Sequence, residues 1–395
     1  MSRSVAAGVL RCAAFIIISG WVVIGQASDD RDRLLLNDDE IAKIVSHGPW
    51  PQNRQIDASN RVSGNPLAAK LGKLLFFDTR LSSNGKIACS TCHNPNSGWT
   101  DGKARAGGLE RLDRNTQSLF NVSGNRWFGW GGQNDSLWAH SIGPILDPRE
   151  MGATPENVAA ILRQSKSLSA QYRDVFGVSP DDRDPLELLV DAAKALAAFQ
   201  ETITSGRTPF DNFRDALARK DFKSAREFPV SAQRGAALFV GRAKCNLCHI
   251  GARFSSDEFD DAGVPYFTGP GRVDRGRFEG INKLKASPFN KLGRFNDSSE
   301  RESAWATKQV AQTHRTFGQF RVPSLRQLTS TAPYMHNGSL KTVRDVVDHY
   351  SNINLDRIHS DAAPVLSPLN LTEQESEDLV LFLKSLSTQL LEHTD

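Results

Sequence analysis

Apolar residues recur at helical spacing in several parts of this chain. Residues 186–204 carry such a pattern along most of their length. Near the C-terminus, Thr372 and Glu375 stand three positions apart before the apolar run LVLFLKSL, which is typical of a capping box at the start of a helix. Strand signals are weak and short. The pattern therefore predicts a mainly α-helical protein.

A short apolar segment occurs twice and indicates an internal repeat. LGKLLFFD at 71–78 and RGAALFVG at 234–241 each contain a glycine, two further residues and then Leu-Phe. Each segment is typical of the end of an amphipathic helix whose Leu and Phe are buried, and any buried helix could show the same residues. The repeat unit predicts one domain in each half of the chain.

A charged stretch lies between the two halves. Residues 205–231 are rich in charge and are bracketed by Pro209 and Pro229. We place the domain boundary near Lys220, which gives domains of 28–220 and 221–395. We expect long loops rich in Gly and Asn, such as 121–135, to contact a substrate or the other domain.

The N-terminus resembles an export signal. Apolar residues run from 12 to 24, Arg3 and Arg11 precede or interrupt the run, and small residues follow at 25–27. We therefore predict a signal peptide over residues 1–27. The alternative is an uncleaved membrane anchor, but the run is shorter than the roughly 18 residues that a spanning helix needs.

Charge and length narrow the class of protein. Charged residues make up 24% of the chain and the net charge is only +3, which is too balanced to argue for binding nucleic acid or an anionic membrane. The roughly 370 residues that follow the predicted cleavage site suit two domains with substantial cores. A soluble two-domain protein is expected.

The cysteines are concentrated in two copies of one motif. Of five cysteines, one is Cys12 in the predicted signal and the other four lie in CSTCH at 89–93 and CNLCH at 245–249. Cys-x-x-Cys-His is typical of covalent c-type haem attachment, in which both thiols bond the haem and the histidine is the proximal iron ligand. The predicted attachment residues are Cys89, Cys92 and His93, and then Cys245, Cys248 and His249.

Three alternatives, a redox dithiol, a zinc site and chance, explain this repeated pattern less completely than covalent haem attachment does. A thioredoxin-like dithiol needs neither the repeat nor the histidine, and a Cys₄ zinc site leaves both histidines without a role. Two random occurrences of the motif in one chain are much rarer than one, so chance is a poor explanation. Two covalent haem c groups are therefore predicted, and a periplasmic location follows because bacteria attach c-type haem outside the cytoplasm.

Longer motifs carry a resemblance to a known family. The motifs, in chain order, are LFFDTRLSSNGKIACSTCH, RNTQSLFNV, FGWGGQNDSLWAHSIGPILDPREM, RVPSLRQLTSTAPYMHNGSL and LTEQESEDLVLFLKSL. Together they resemble the bacterial di-haem cytochrome c peroxidases and their relative MauG, over about residues 65–386. The resemblance implies a mainly α fold of two cytochrome c-like haem domains with long loops.

The resemblance also implies a peroxide site at the His93 haem. Glu150 matches the family's distal carboxylate, which takes a proton from peroxide and returns it. His140 stands where many relatives have glutamine, and Pro144 would lie over the iron face. Without the motif, Glu150 is a solvated loop acid and His140 a surface histidine. No histidine lies between 93 and 140, where relatives that need reductive activation carry a distal ligand, so this haem is expected to be open.

Two further roles are implied at the junction of the domains. Trp130 matches the tryptophan that lies between the two haems and relays electrons in the family. Trp99, Trp127 and Trp138 stand nearby in the sequence and are expected in the core. The residues matching the family's calcium site are Asn115, Thr331 and Pro333, and two of these would act through backbone carbonyls.

The distal ligand of the second haem separates the branches of the family. Electron-accepting peroxidases use methionine at this position, whose sulfur raises the potential of the iron, and the matching stretch here offers Tyr350. A phenolate favours more oxidised iron, as in MauG. The competing ligands are Met335 and His349, and tyrosine is more often only a packed aromatic residue.

The resulting prediction is a periplasmic di-haem peroxidase. Hydrogen peroxide would react at the His93 haem, and a small cytochrome or copper protein would return electrons through the second haem and Trp130. One alternative is an oxidase that modifies side chains of a partner protein, as MauG does. Another is a non-catalytic di-haem electron-transfer cytochrome, which would make Glu150 incidental.

Overall fold

Helices dominate this computed structural model, which describes residues 34–53, 55–265, 267–300, 304–358 and 365–388. The mainly α prediction is confirmed. The predicted signal peptide at 1–27, with Cys12, lies outside the described residues. Within the described ranges, no helix combines the length and apolar character needed to cross a bilayer.

The helices and strands have the following bounds. The helices are α1 (Asp38–Val45), α2 (Pro66–Phe76), α3 (Cys89–Cys92), α4 (Leu137–Leu146), α5 (Pro155–Gln164), α6 (Lys166–Phe176), α7 (Pro185–Gln200), α8 (Pro209–Ala218), α9 (Phe222–Ala225), α10 (Val230–Val240), α11 (Arg277–Ala286), α12 (Trp305–Gln309), α13 (Val343–Ser351) and α14 (Glu373–Lys384). The strands are β1 (Phe259–Asp260), β2 (Phe267–Gly269), β3 (Arg272–Val273) and β4 (Phe320–Arg321). β1 pairs with β4 and β2 with β3, both antiparallel.

The two helices expected from apolar spacing are both present. Thr372 caps α14, and Glu375 completes the capping box as predicted. α7 begins at Pro185, whose missing N–H is no loss in the first turn, and Asp184 accepts a hydrogen bond from the backbone of Glu187. α7 ends at Gln200, a little before the end of the predicted pattern.

The repeated glycine lies where two helices cross closely. α2 packs on α7, and α10 packs on α14. A Cβ atom at Gly72 would lie 1.9 Å from the carbonyl oxygen of Ala195, and one at Gly235 would lie 2.0 Å from that of Asp378. Only glycine permits this approach, which explains why the residue recurs in both copies of the repeat.

Each of the two helix pairs lies in its own hydrophobic cluster. The first draws on α2 and α4 to α7, and the second on α1, α8 to α10, α13 and α14. α1 and α8 precede Lys220 in sequence, yet they contribute Ile44, Phe210 and Phe213 to the second cluster. The division of the chain near Lys220 stays a prediction.

Candidate active site

The first Cys-x-x-Cys-His motif presents a histidine that is ready to bind a metal. α3 holds Cys89 and Cys92 one helical turn apart, and His93 follows at the helix end. Nδ1 of His93 lies 3.1 Å from the carbonyl oxygen of Trp99. Because Nδ1–H donates to that carbonyl, Nε2 keeps a free lone pair. Burial lowers the pKa of His93, which keeps the ring neutral as a metal ligand requires.

The second motif repeats this arrangement. Cys245 begins a short 3₁₀ turn, and Nδ1 of His249 lies 2.9 Å from the carbonyl oxygen of Phe254. Burial lowers the pKa of His249 to about 4. The accepting residues Trp99 and Phe254 both have positive φ, at 59° and 53°. The structural repeat therefore extends beyond the motif into the turn that follows it.

The thiols do not resemble a redox-active dithiol. Burial raises the pKa of Cys89 and Cys245 to about 12, and that of Cys92 and Cys248 to about 11. A thioredoxin-like pair needs a lowered thiol pKa instead. Within the described ranges, no three His, Cys, Asp or Glu side chains converge as metal ligands.

A cavity of about 90 Å³ brings the predicted catalytic residues to the first motif. His93, Glu150, His140 and Pro144 all line it. α4 supplies His140 and Pro144, and the loop after α4 supplies Glu150. This loop is held in place because the carbonyl oxygen of Glu150 accepts a 2.9 Å hydrogen bond from the backbone N–H of Leu109. The remaining walls include the apolar residues Phe76, Ile87 and Met151.

Glu150 has the electrostatics of a general base. Burial, and secondarily the negative charge of Asp147, raise its pKa to about 7, while Arg149 acts in the opposite direction. Among the described residues none hydrogen-bonds to its carboxylate. A carboxyl that titrates near neutral pH can both accept and return a proton.

His140 is neutral and its tautomer is set by a neighbour. Burial lowers its pKa to about 4. The side-chain nitrogen of Asn134 lies 3.0 Å from His140 Nδ1. Because the amide N–H donates to Nδ1, the proton of the neutral ring is on Nε2. His140 can therefore donate a hydrogen bond, as the glutamine of many relatives can.

A larger cavity of about 510 Å³ adjoins the second motif. Cys245, Cys248 and His249 line it together with Tyr350 and Met335. Its walls are largely apolar and its volume suits a macrocycle. The paired thiols, the free Nε2 and the apolar walls fit a covalently bound haem at this motif, and the same donor set with apolar neighbours fits one at the first.

Tyr350 has a hydroxyl available to the larger cavity. Across the described residues, none hydrogen-bonds to Tyr350 Oη. Burial raises its pKa above the usual value, and the carboxyls of Asp260 and Asp261 add to this. His349 instead directs Nε2 to the carbonyl oxygen of Ala262 at 2.8 Å. The structure thus places Tyr350 and Met335 at the cavity and ties His349 to the backbone.

Trp130 differs from the other three tryptophans near it in the sequence. Trp99, Trp127 and Trp138 are 8%, 3% and 0% exposed and lie in the protein interior, as expected. Trp130 lines the larger cavity, and its Nε1–H donates to the carbonyl oxygen of Asn115 at 2.9 Å. Its position beside a cavity is consistent with a relay role, which remains a prediction.

The residues predicted to hold calcium all border the larger cavity. Asn115, Thr331 and Pro333 all line the larger cavity. The side-chain nitrogen of Asn115 donates to the carbonyl oxygen of Lys103 at 2.7 Å, which leaves the amide oxygen as a donor for a cation. The set offers neutral oxygens only, and calcium there stays a prediction.

Sequence reasoning did not identify the residues shared by the two cavities. Gln117, Ser118, Asn125 and Arg321 line both. Arg321 lies in RVPSL, one of the motifs that carried the resemblance, but nothing in its spacing indicates a role. Asn134, which sets the tautomer of His140, was also missed because a loop asparagine has no distinguishing pattern.

Comparisons with known proteins identify the family of this chain. Residues 66–218 match the family model for di-haem cytochrome c peroxidase. The chain is 34% identical over 330 residues to the methylamine utilization protein MauG of Methylorubrum extorquens, covering 82% of this chain and 80% of that protein. It is 32% identical over 363 residues to the cytochrome-c peroxidase IdrP1 of Denitromonas iodatirespirans, covering 90% of each. The diheme peroxidase BthA from Burkholderia thailandensis shares the fold, with a TM-score of 0.65 and 22% identity over 82% of this chain and 87% of that one.

Proposed function

This chain belongs to the family of di-haem cytochrome c peroxidases and MauG, and on that premise we propose that it reduces hydrogen peroxide at the His93 site. The reaction consumes two electrons and two protons and yields two waters. A c-type haem held by Cys89, Cys92 and His93 would supply the redox-active iron for this reduction. The signal-peptide prediction and the attachment motifs support a periplasmic location.

The observation that carries this proposal is the pairing of Glu150 with a neutral His140 in one cavity. Glu150 takes the proton of the bound peroxide and returns it to the departing oxygen. His140 donates from Nε2 and so holds the peroxide for that transfer. Pro144 supplies an apolar wall with no competing ligand. A purely electron-transferring cytochrome has no use for a carboxyl whose pKa is raised to about 7 beside the first motif.

Electrons reach this site from the second motif. Trp130 lies on the wall of the larger cavity, where an aromatic ring of low ionisation energy can relay them. The external donor is a small cytochrome or copper protein of the periplasm. Because the net charge of the chain is only +3, we expect no strong electrostatic attraction between the whole protein and such a donor.

Glu150→Gln tests the proposal. The amide keeps the shape of the side chain and cannot accept the proton, so kcat/KM for peroxide should fall by roughly a hundredfold or more. Glu156→Gln is the matched control, because Glu156 is exposed in the first turn of α5. Equal activity of both variants, or wild-type protein without peroxide turnover, would overturn the proposal.

A second candidate is the oxidation of side chains on a partner protein. Tyr350 favours it, because a tyrosine oxygen would stabilise the oxidised state of a haem iron bound at the second motif, and no other described residue hydrogen-bonds to the Tyr350 hydroxyl. A methionine ligand would favour the plain peroxidase instead. The spectrum of the oxidised protein should therefore change in Tyr350→His and not in Met335→Leu. A sulfur-to-iron charge-transfer band lost only in Met335→Leu would exclude the tyrosine ligand.

A further inference from the structure

Arg321 occupies the wall between the two cavities. It ends β4, where it pairs with Phe259 of β1. Its backbone N–H donates to the carbonyl oxygen of Trp130 at 2.8 Å. The side chain is 6% exposed and lines both cavities. The peptide that carries Arg321 is thus tied to the residue proposed as the relay.

Two nitrogens of the Arg321 guanidinium have no hydrogen-bonded partner among the described residues. Its Nε and Nη1 atoms are buried without one, which is true of no other lysine or arginine nitrogen in the described ranges. The facing carboxylate, Asp257, approaches Nη1 only to 3.6 Å. Asp257 pairs through Oδ2 with Nη2 of Arg253, and its Oδ1, which faces Arg321, is also buried without a hydrogen-bonded partner among the described residues. Arg253 and Arg321 therefore share the single negative charge of Asp257, so the positive charge of one arginine is not neutralised.

The uncompensated positive charge of Arg321 requires an anionic partner. A buried cation without a partner is costly, and burial lowers the pKa of Arg321 to about 10. The planar fork of a guanidinium matches a carboxylate in two parallel hydrogen bonds. Each haem carries two propionate carboxylates at one edge, and the larger cavity, at about 510 Å³, has the volume for a haem. The required anion is therefore available in the cofactor itself.

We infer that Arg321 binds a haem propionate at the wall shared by the two cavities. This inference rests on the proposed haem sites and goes beyond them. A fixed positive charge beside both sites favours the reduced state of each iron and so raises both midpoint potentials. Arg321 is a positioning residue, since its side chain acts through the propionate, while its backbone N–H is hydrogen-bonded to the carbonyl oxygen of Trp130.

Midpoint potentials measured by spectroelectrochemistry test the inference. Arg321→Gln should lower the potentials of both haems, and Arg321→Lys should restore most of the difference because it restores the charge. Arg126→Gln is the control, because Arg126 is exposed and pairs with Glu258 on the surface. Its potentials should equal those of the wild type. Unchanged potentials in an Arg321→Gln protein that carries both haems would overturn the inference.

The haem count separates this inference from the proposed function. Wild-type protein with fewer than two covalent haems would overturn the proposed function itself. If Arg321→Gln does not accumulate, resonance Raman spectra of Arg321→Lys decide the matter. A lysine donates to a propionate from a single point, so the propionate bending band should shift. A wild-type band in that variant would overturn the inference.

Discussion

The side-chain nitrogen of Asn134 lies 3.0 Å from Nδ1 of His140, beside the cavity that also holds Glu150. This contact keeps the proton of His140 on Nε2. Asn134→Ala should lower kcat/KM for peroxide by roughly three- to tenfold, the effect expected from losing one hydrogen bond that orients a ring. Asn134→Asp should be more harmful, because a carboxylate accepts from Nδ1–H and so removes the proton from Nε2. Wild-type kinetics in both variants, at equal haem content, would argue against a role for this tautomer.

The pH dependence of the peroxide reaction should report Glu150. The carboxylate is the active form, and its pKa is raised to about 7, so the rate should rise with pH through this value and then level off. His140, with a pKa lowered to about 4, should contribute no limb near neutrality. Stopped-flow rates between pH 5 and pH 9 would measure the profile, and Glu150→Gln should abolish the limb. A flat profile in the wild type would show that Glu150 is not the base.

Much of the site could be predicted from local sequence. The two attachment motifs and the ends of α2 and α10 are short, regular signals in the sequence, and both helices end where the repeated segment predicts. Glu150 and His140 were identified through a longer motif, and they do line the same cavity. Chemistry that depends on residues adjacent in the chain leaves a pattern that the sequence alone can show.

Contacts between distant segments were not predictable in this way. Arg321 is significant because β4 pairs with β1 and because two cavities meet at its side chain. α1 joins the second hydrophobic cluster from the other end of the chain through Ile44. Neither relationship leaves a periodic or compositional trace, since each depends on how the chain folds back on itself.

Covalent attachment is tested by removing one thiol pair at a time. Cys245→Ser with Cys248→Ser should leave one haem after acid-acetone extraction, because no thioether can form at the second motif. Cys89→Ser with Cys92→Ser should do the same at the first. The pyridine haemochrome assay gives the count per chain. Two extraction-resistant haems in either double variant would contradict the assignment.

The close helix crossing at Gly235 makes a stability prediction. Gly235→Ala places a Cβ 2.0 Å from the carbonyl oxygen of Asp378, so α10 and α14 must move apart. The free energy of unfolding should fall by about 1–3 kcal/mol, as for other overpacked sites. Gly206→Ala is the control, because the nearest atom to its Cβ lies at an ordinary 3.7 Å. Its free energy of unfolding should change by less than about 0.5 kcal/mol. Equal denaturation midpoints for both variants would refute the crossing argument.

The central claim is that the His93 site is an open site for peroxide. Among the described residues that line its cavity, the histidines are His93 and His140, and Nδ1 of His140 accepts a hydrogen bond from Asn134. Electron paramagnetic resonance of the resting, fully oxidised protein tests this most directly. We predict one high-spin ferric haem at the His93 site and one low-spin haem at the His249 site. Two low-spin haems would contradict the account, because both irons would then be capped by protein ligands and neither could bind peroxide in that state.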